Sequence, residues 1–357
     1  MTFFLTVSRR RFPDGFDISP YRISKMQIPS RFDNVTIPVY LMYHEKYPPK
    51  ANSPQPMLFD AYGAYGTLMN PEFEIPNFSI VDRGVIYSYI DARGSFGKGA
   101  LWHVTSLQKK KTFEDVISVI EYFIGNNFTT SSQVALEGRS AGGLTVCSVA
   151  FAAQTLLKMV FCEVPFVDVI NTESDPTIPL SAQEWSEWGN PIAGEEVYWY
   201  QKSYAPYEVV NSTILGLANF PTILLTTGKN DPRVMYWEPT KLIAKIRALT
   251  PPNNQNNFKV LLRVEDNGHS HGSGDLWFKQ LSQYTAFMLN SILPQNGDTA
   301  IEPSSSFSPE DWVILFIVAF LSIAILIFLS SLIYFSWKRK RYGLGSIQEE
   351  GFMLITK

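Results

Sequence analysis

Cysteine and histidine are scarce in this sequence of 357 residues, with two Cys (Cys147 and Cys162) and four His (His44, His103, His269 and His271). Two thiols cannot build a disulfide framework or a four-thiolate zinc site, and any histidine-dependent chemistry has few places to sit. A basic excess is also lacking. Lys and Arg number 30 against 33 Asp and Glu, a formal net charge of −3, which argues against nucleic acid as the main partner because phosphates would go unneutralised. No internal repeat of 20 to 50 residues is visible. What is present, 45% hydrophobic, 14% aromatic and 18% charged residues, excludes intrinsic disorder, collagen-like repeats and a coiled coil. The length allows one large domain or two small ones, with a core that needs no staples.

One long apolar run stands out. Trp312 to Trp337 contains no charge over 26 residues, enough to cross a roughly 30 Å hydrocarbon core as one transmembrane helix. Trp312, Tyr334 and Trp337 lie at its ends, and Lys338-Arg-Lys-Arg341 follows at once. That basic run predicts a cytosolic tail and a lumenal or extracellular main domain. The sequons at Asn34, Asn77, Asn127 and Asn211 fit this orientation. The N-terminus conflicts with it, since Phe3 to Val7 is shorter than the roughly 7 to 15 apolar residues of a signal peptide. Either the protein is tail-anchored with its main domain in the cytosol, or residues of a longer precursor precede Met1; the second reading is preferred.

Before the span, apolar β-rich runs alternate with helical patterns. Val35–Tyr43, Pro56–Asp60, Gly84–Ile90, Gln133–Leu136, Met159–Val164, Thr222–Thr226 and Val260–Val264 read as strands. Most lack the two-residue period of a half-exposed sheet, as a sheet covered on both faces requires. Thr112–Phe123, Ala141–Leu157, Trp237–Leu249 and Leu276–Ile292 have helical length and periodicity. The alternation predicts an α/β fold with a mainly parallel central sheet.

The chemical centre is Gly138-Arg-Ser140-Ala-Gly142, directly after a strand and directly before a helix. A Gly-x-Ser-x-Gly in that context is a nucleophile elbow, which presents the Ser140 hydroxyl at a helix N-terminus. The Ala141 N–H then points where an oxyanion forms. A serine hydroxyl needs a base and an orienting carboxylate, in the chain order Ser, Asp/Glu, His. Only His269 and His271 lie downstream, in the polar loop Glu265–Gly272, and the residues alone do not choose between them. Asp231 follows the strand Thr222–Thr226 and is either the carboxylate or an Asx-Pro turn.

With their flanks, these motifs resemble the prolyl oligopeptidase family of serine peptidases, the oligopeptidase B branch most of all. The resemblance runs from about Phe16 to Leu293. It is carried by Asp60-Ala-Tyr-Gly-Ala-Tyr-Gly66, Asp91-Ala-Arg-Gly94, Lys109-Lys-Lys-Thr-Phe113, Glu137-Gly-Arg-Ser-Ala-Gly-Gly143, Val164-Pro-Phe-Val-Asp-Val169, Glu187-Trp-Gly-Asn-Pro191 and Thr227-Gly-Lys-Asn-Asp-Pro-Arg-Val234. It implies an α/β-hydrolase fold, a Ser140, Asp231, His269 triad, and no metal or organic cofactor. It also implies that Tyr62 joins the Ala141 N–H in the oxyanion hole, that Arg233 holds a substrate backbone carbonyl, and that Glu184 meets the basic side chain before the cleaved bond. The second acidic position of that branch reads Ser186 here, so one carboxylate rather than two faces the cation and an Arg/Lys preference is weakened. The family's Arg-Gly-Gly-Gly-Glu reads Arg93-Gly-Ser-Phe-Gly97, without the acid.

Family members carry a β-propeller before the hydrolase domain, and this chain starts almost where that propeller would end. A processed or truncated form of a longer type I membrane protein is expected. The organisation predicted is a lead-in over 1–30, the hydrolase domain over 31–295, a linker over 296–311, the span over 312–337 and a basic tail over 338–357. The function predicted is a membrane-anchored serine oligopeptidase that cleaves short peptides after Arg or Lys through an acyl-enzyme. The alternatives are a serine esterase or thioesterase of the same fold, or a catalytically idle membrane interaction protein. Oligomeric state is not legible.

Overall fold

A computed structural model of the protein describes residues 16–71, 74–216, 220–251, 259–270 and 272–294. The strands are β1 (Tyr21–Pro29), β2 (Thr36–His44), β3 (Met57–Ala61), β4 (Ile86–Ile90), β5 (Val134–Arg139), β6 (Met159–Glu163), β7 (Thr222–Gly228) and β8 (Val260–Glu265). The helices are α1 (Ile75–Val81), α2 (Lys110–Gly125), α3 (Ala141–Ala152), α4 (Val169–Glu173), α5 (Ser181–Trp188), α6 (Glu195–Lys202), α7 (Pro206–Val209), α8 (Ser212–Leu215), α9 (Trp237–Leu249) and α10 (Asp275–Ile292).

The strands form one sheet in the order β1-β2-β4-β3-β5-β6-β7-β8. β3 to β8 run parallel to one another, and only β2 is reversed against its neighbours β1 and β4. Alternate strand residues feed two cores, as a sheet covered on both faces requires. Met57, Phe59 and Ala61 of β3 and Val134 and Leu136 of β5 join the core of α2, α3 and α9. Leu58, Ala135 and Met159 join that of α1 and α10 on the other face. Each such large side chain contributes about 1.5–3 kcal/mol by its burial. This is the mainly parallel α/β sheet that the alternation predicted, in the α/β-hydrolase arrangement that the resemblance implied.

Differences from the sequence reading lie at the margins. The expected lead-in contains β1, a nine-residue edge strand paired along β2 through Tyr21↔His44 to Pro29↔Thr36. Its alternating, largely exposed pattern suits an edge better than a core strand. The helix expected over Ala141–Leu157 ends at Ala152. Asn77 is buried and its Nδ2 donates to the Tyr89 hydroxyl at 2.7 Å, so that sequon cannot carry a glycan, whereas Asn34, Asn127 and Asn211 are exposed. Cys147 of α3 and Cys162 of β6 are joined as a disulfide. The run Trp312–Trp337 and its flanks lie outside the described residues, as does His271; among the described residues no helix is long and apolar enough to cross a membrane.

Candidate active site

The turn between β5 and α3 is sharp and strained. Ser140 has φ 58° and ψ −117°, a region that only glycine adopts freely. The strain is held by the packing around it. The Ser140 N–H donates to the Glu163 carbonyl at 2.9 Å, and the Ser140 carbonyl accepts from Phe166 N at 3.1 Å and Leu144 N at 3.2 Å. Small neighbours are obligatory, because a Cβ on Gly142 would stand 2.7 Å from the Ala61 carbonyl oxygen. Ala141 is the first residue of α3, so its N–H is one of the donors a helix leaves unsatisfied. The helix itself is buried from Ala141 to Phe151.

Asp231 follows β7, 5% exposed, and divides its two oxygens between two tasks. Oδ1 accepts from the N–H groups of Arg233 at 2.8 Å and Val234 at 3.0 Å, which is the Asx-type turn. Oδ2 accepts from His269 Nδ1 at 2.8 Å. Turn and carboxylate are thus the same residue rather than alternatives. Burial works to raise the Asp231 pKa, but the His269 hydrogen bond and the two backbone donors outweigh it and hold the carboxyl below its ordinary value. With Nδ1–H given to Asp231, the lone pair of a neutral imidazole falls on Nε2. The two loops are tied directly, with Asn230 N donating to the Asn267 carbonyl at 3.0 Å; a Cβ on Gly228 would meet the Gly268 carbonyl oxygen at 2.3 Å. Arg139, inside the elbow motif, donates to Glu163 at 2.7 Å and to the His269 carbonyl, pinning the histidine loop to the serine turn.

His269 makes no hydrogen bond to Ser140 in this structure. Such catalytic contacts are commonly long outside the Michaelis complex and tighten within it.

Ser140 and Ala141 open on a cavity of about 350 Å3 whose walls include Tyr62, Tyr65, Glu184 and Arg233. The larger cavity of about 670 Å3, walled by Asp60, Glu74, Glu137 and Glu163 among others, contains neither Ser140 nor His269. Burial, and next the charge of Glu184, raise the Tyr62 pKa, so its hydroxyl remains a donor at neutral pH. The loop carrying Tyr62 is fastened by a buried charge network. Lys109 Nζ donates to the Gly63 carbonyl at 2.9 Å and to Glu187 Oε1 at 2.8 Å. Glu187 also takes the Tyr65 N–H at 3.0 Å and lies 2.7 Å from His103 Nε2. Lys109 and Glu187 sit in stretches that carried the family resemblance, yet neither had an assigned role.

Glu184 Oε2 accepts from the Tyr65 hydroxyl at 2.5 Å and from Trp188 Nε1 at 3.0 Å. Ser186, two residues on, belongs to a different face of α5 and is exposed. Arg233 is exposed, and among the described residues its guanidinium makes no ion pair. Of the residues expected from the sequence, Ser140, Ala141, Tyr62, Glu184 and Arg233 share one cavity, while Asp231 and His269 are paired at the adjoining strand ends. The residue missed is Glu173, the last of α4, which lines the same cavity. No motif surrounds it, so only its position in the fold reveals it.

Comparison with known proteins identifies the family. Residues 71–294 match the prolyl oligopeptidase family model. Dipeptidyl aminopeptidase BI of Pseudoxanthomonas mexicana is 36% identical over 281 residues, which is 78% of this chain and 37% of that protein. Protease 2 of Moraxella lacunata is 34% identical over 280 residues, 78% of this chain and 39% of that protein. Oligopeptidase B from Leishmania major superposes with a TM-score of 0.72 at 33% identity, covering 81% of this chain and 39% of that one. Oligopeptidase B from Trypanosoma brucei, solved with covalently bound antipain, gives 0.71 at 34% identity, covering 79% of this chain and 39% of that one. The chain therefore spans about two fifths of the length of these relatives. By its matched residues and by its fold, it belongs to the prolyl oligopeptidase family.

Proposed function

We propose that this chain is the catalytic part of a serine peptidase that cleaves short peptides through an acyl-enzyme, after Arg or Lys. The observation that carries the reading is the Asp231–His269 pair at 2.8 Å, together with a serine held at positive φ on a helix N-terminus and an Arg139 that ties the histidine loop to that turn. Ser140 Oγ attacks the scissile carbonyl carbon as His269 Nε2 takes its proton. The carbonyl oxygen, now an anion, is received by the Ala141 N–H and the Tyr62 hydroxyl. His269 returns the proton to the leaving amine, the C–N bond breaks, and water releases the acyl group by the same route. Asp231 keeps the imidazole tautomer and orientation throughout, and Arg233 holds a substrate carbonyl.

We also propose that the catalytic domain lies on the lumenal or extracellular side, anchored in the bilayer by Trp312–Trp337 with residues 338–357 in the cytosol, a reading supported by the charge-free run and the basic Lys338-Arg-Lys-Arg341 that follows it. Glycosidase sensitivity of Asn34, Asn127 and Asn211 in cells tests that orientation; unglycosylated protein would favour the tail-anchored form.

The chemistry is tested by exposing the full chain to a fluorophosphonate and assaying an arginyl amide beside a simple ester, with Ser140→Ala as control. Labelling and arginyl-amide turnover, both lost in Ser140→Ala, are expected. Turnover of the ester alone would replace the peptidase reading with an esterase, and a folded but unlabelled chain would remove both.

A further inference from the structure

Glu173 is 1% exposed, and its Oε2 is buried with no hydrogen-bond partner. A carboxyl so placed is unfavourable unless a proton or a cation completes it. Its surroundings supply none. Glu184 on α5 and Glu238 on α9 are both acidic and, after burial itself, push the Glu173 pKa up to about 9. Tyr204, just before α7, also feels its charge, but the buried Tyr204 hydroxyl has no hydrogen-bond partner either, so the two are not bonded. Arg233 shares the cavity wall and makes no ion pair with it.

Glu173 is nevertheless rigidly mounted. Its carbonyl accepts from Trp185 Nε1 at 3.0 Å, and Ser181 Oγ donates to the Thr172 carbonyl at 2.8 Å, so α4 is bolted to the helix that bears Glu184. Glu238 in turn clamps α4 through Thr172 Oγ1 at 2.9 Å. Glu184 has its donors on Oε2 only, which leaves Oε1 without a hydrogen bond among the described residues.

We propose that Glu173 and Glu184 together form the cation-recognising end of the cavity, with the guanidinium or ammonium of the substrate as the partner Glu173 lacks. The proposal rests on the peptidase reading for its substrate and names the residue that replaces the missing acid at Ser186. A guanidinium offers five donors in a planar fork, enough to meet Glu173 and still reach Glu184 Oε1. At neutral pH Glu173 holds a proton until the cation arrives. Binding then converts its carboxylic acid to a carboxylate, paired with the incoming cation, and releases one proton to the solvent.

The probe is benzamidine, titrated calorimetrically into the full chain at pH 7.5 in two buffers of different ionisation enthalpy. The wild type is expected to release close to one proton per benzamidine bound, and less as the pH approaches 9. Glu173→Gln is expected to bind roughly 10- to 100-fold more weakly and to release none. Glu184→Gln is expected to weaken binding while keeping the release. Binding by the wild type without proton release, or no binding at all, overturns the proposal whatever the variants do. So does a folded Glu173→Gln chain that binds and releases as the wild type does. The two readings separate cleanly. Glu173-dependent proton release in a chain that no fluorophosphonate labels would remove the peptidase and leave this site. An unchanged preference for arginyl over uncharged amides in Glu173→Gln would remove this role for Glu173 and leave the peptidase.

Discussion

The β5–α3 elbow and the α4–α5 segment face each other across one cavity and are built in opposite ways. Ser140 emerges from the middle of an eight-stranded sheet onto a helix buried on every face, and its neighbours are fixed by backbone approaches too close for any side chain. Glu173 and Glu184 ride on helices of five and eight residues, held by side-chain hydrogen bonds. The first region suits chemistry, which tolerates little misplacement; the second suits recognition, which can be altered without rebuilding the sheet.

That contrast can be broken most severely at Gly142. Gly142→Val puts a side chain against the Ala61 carbonyl and is expected to destabilise the fold by about 3 kcal/mol or more, visible as a chain that melts early or fails to fold. Asp231→Asn sharpens it. Its amide oxygen can still accept from Arg233 and Val234, so the melting temperature should hold within a few degrees, while the wrong imidazole tautomer lowers kcat about 10^4-fold. Tyr62→Phe removes the hydroxyl proposed as an oxyanion donor and is expected to lower kcat about 10^2- to 10^3-fold, with little change in KM. The remaining effect concerns stability and pH. The unfolded Glu173 loses its proton near the ordinary carboxylate range whereas the folded one keeps it to about 9, so across that window rising pH favours unfolding. Glu173→Gln should therefore gain stability relative to wild type from pH 5 to pH 8, measured by denaturant midpoints; a gap that does not widen would place the Glu173 pKa in the ordinary range.

Much of this was legible in the sequence because local rules and the fold agree there. The strands from Pro56 onward are apolar runs bounded by turn residues, and the Gly-x-Ser-x-Gly stands where strand meets helix. β1 was missed because an exposed edge strand carries little apolar signal: Arg22, Ser24, Lys25 and Gln27 read as a polar lead-in. The short helices α4 to α8 were missed because they are set by tertiary packing, too brief for any period to show. Glu173 was illegible for a related reason. Its sequence neighbours Thr172 and Ser174 give it the look of a solvated loop acid, and only the tertiary packing of α4, which Glu238 far along the chain clamps through Thr172, leaves it 1% exposed. The choice of Glu184 came from resemblance rather than spacing, and the same resemblance directed attention to Ser186, which the turn of α5 carries away from the cavity.

The burial of α3 has one more consequence, for how the molecule ages under heat. A helix without a face in water exchanges the amide hydrogens bonded within it only when the whole domain opens, and Ser140 stands at the head of that helix. The short helices opposite can open locally at lower free energy. If the proposed chemistry holds, discrimination between substrates is expected to fade on warming ahead of turnover itself, which paired rate measurements on an arginyl and an uncharged amide would read.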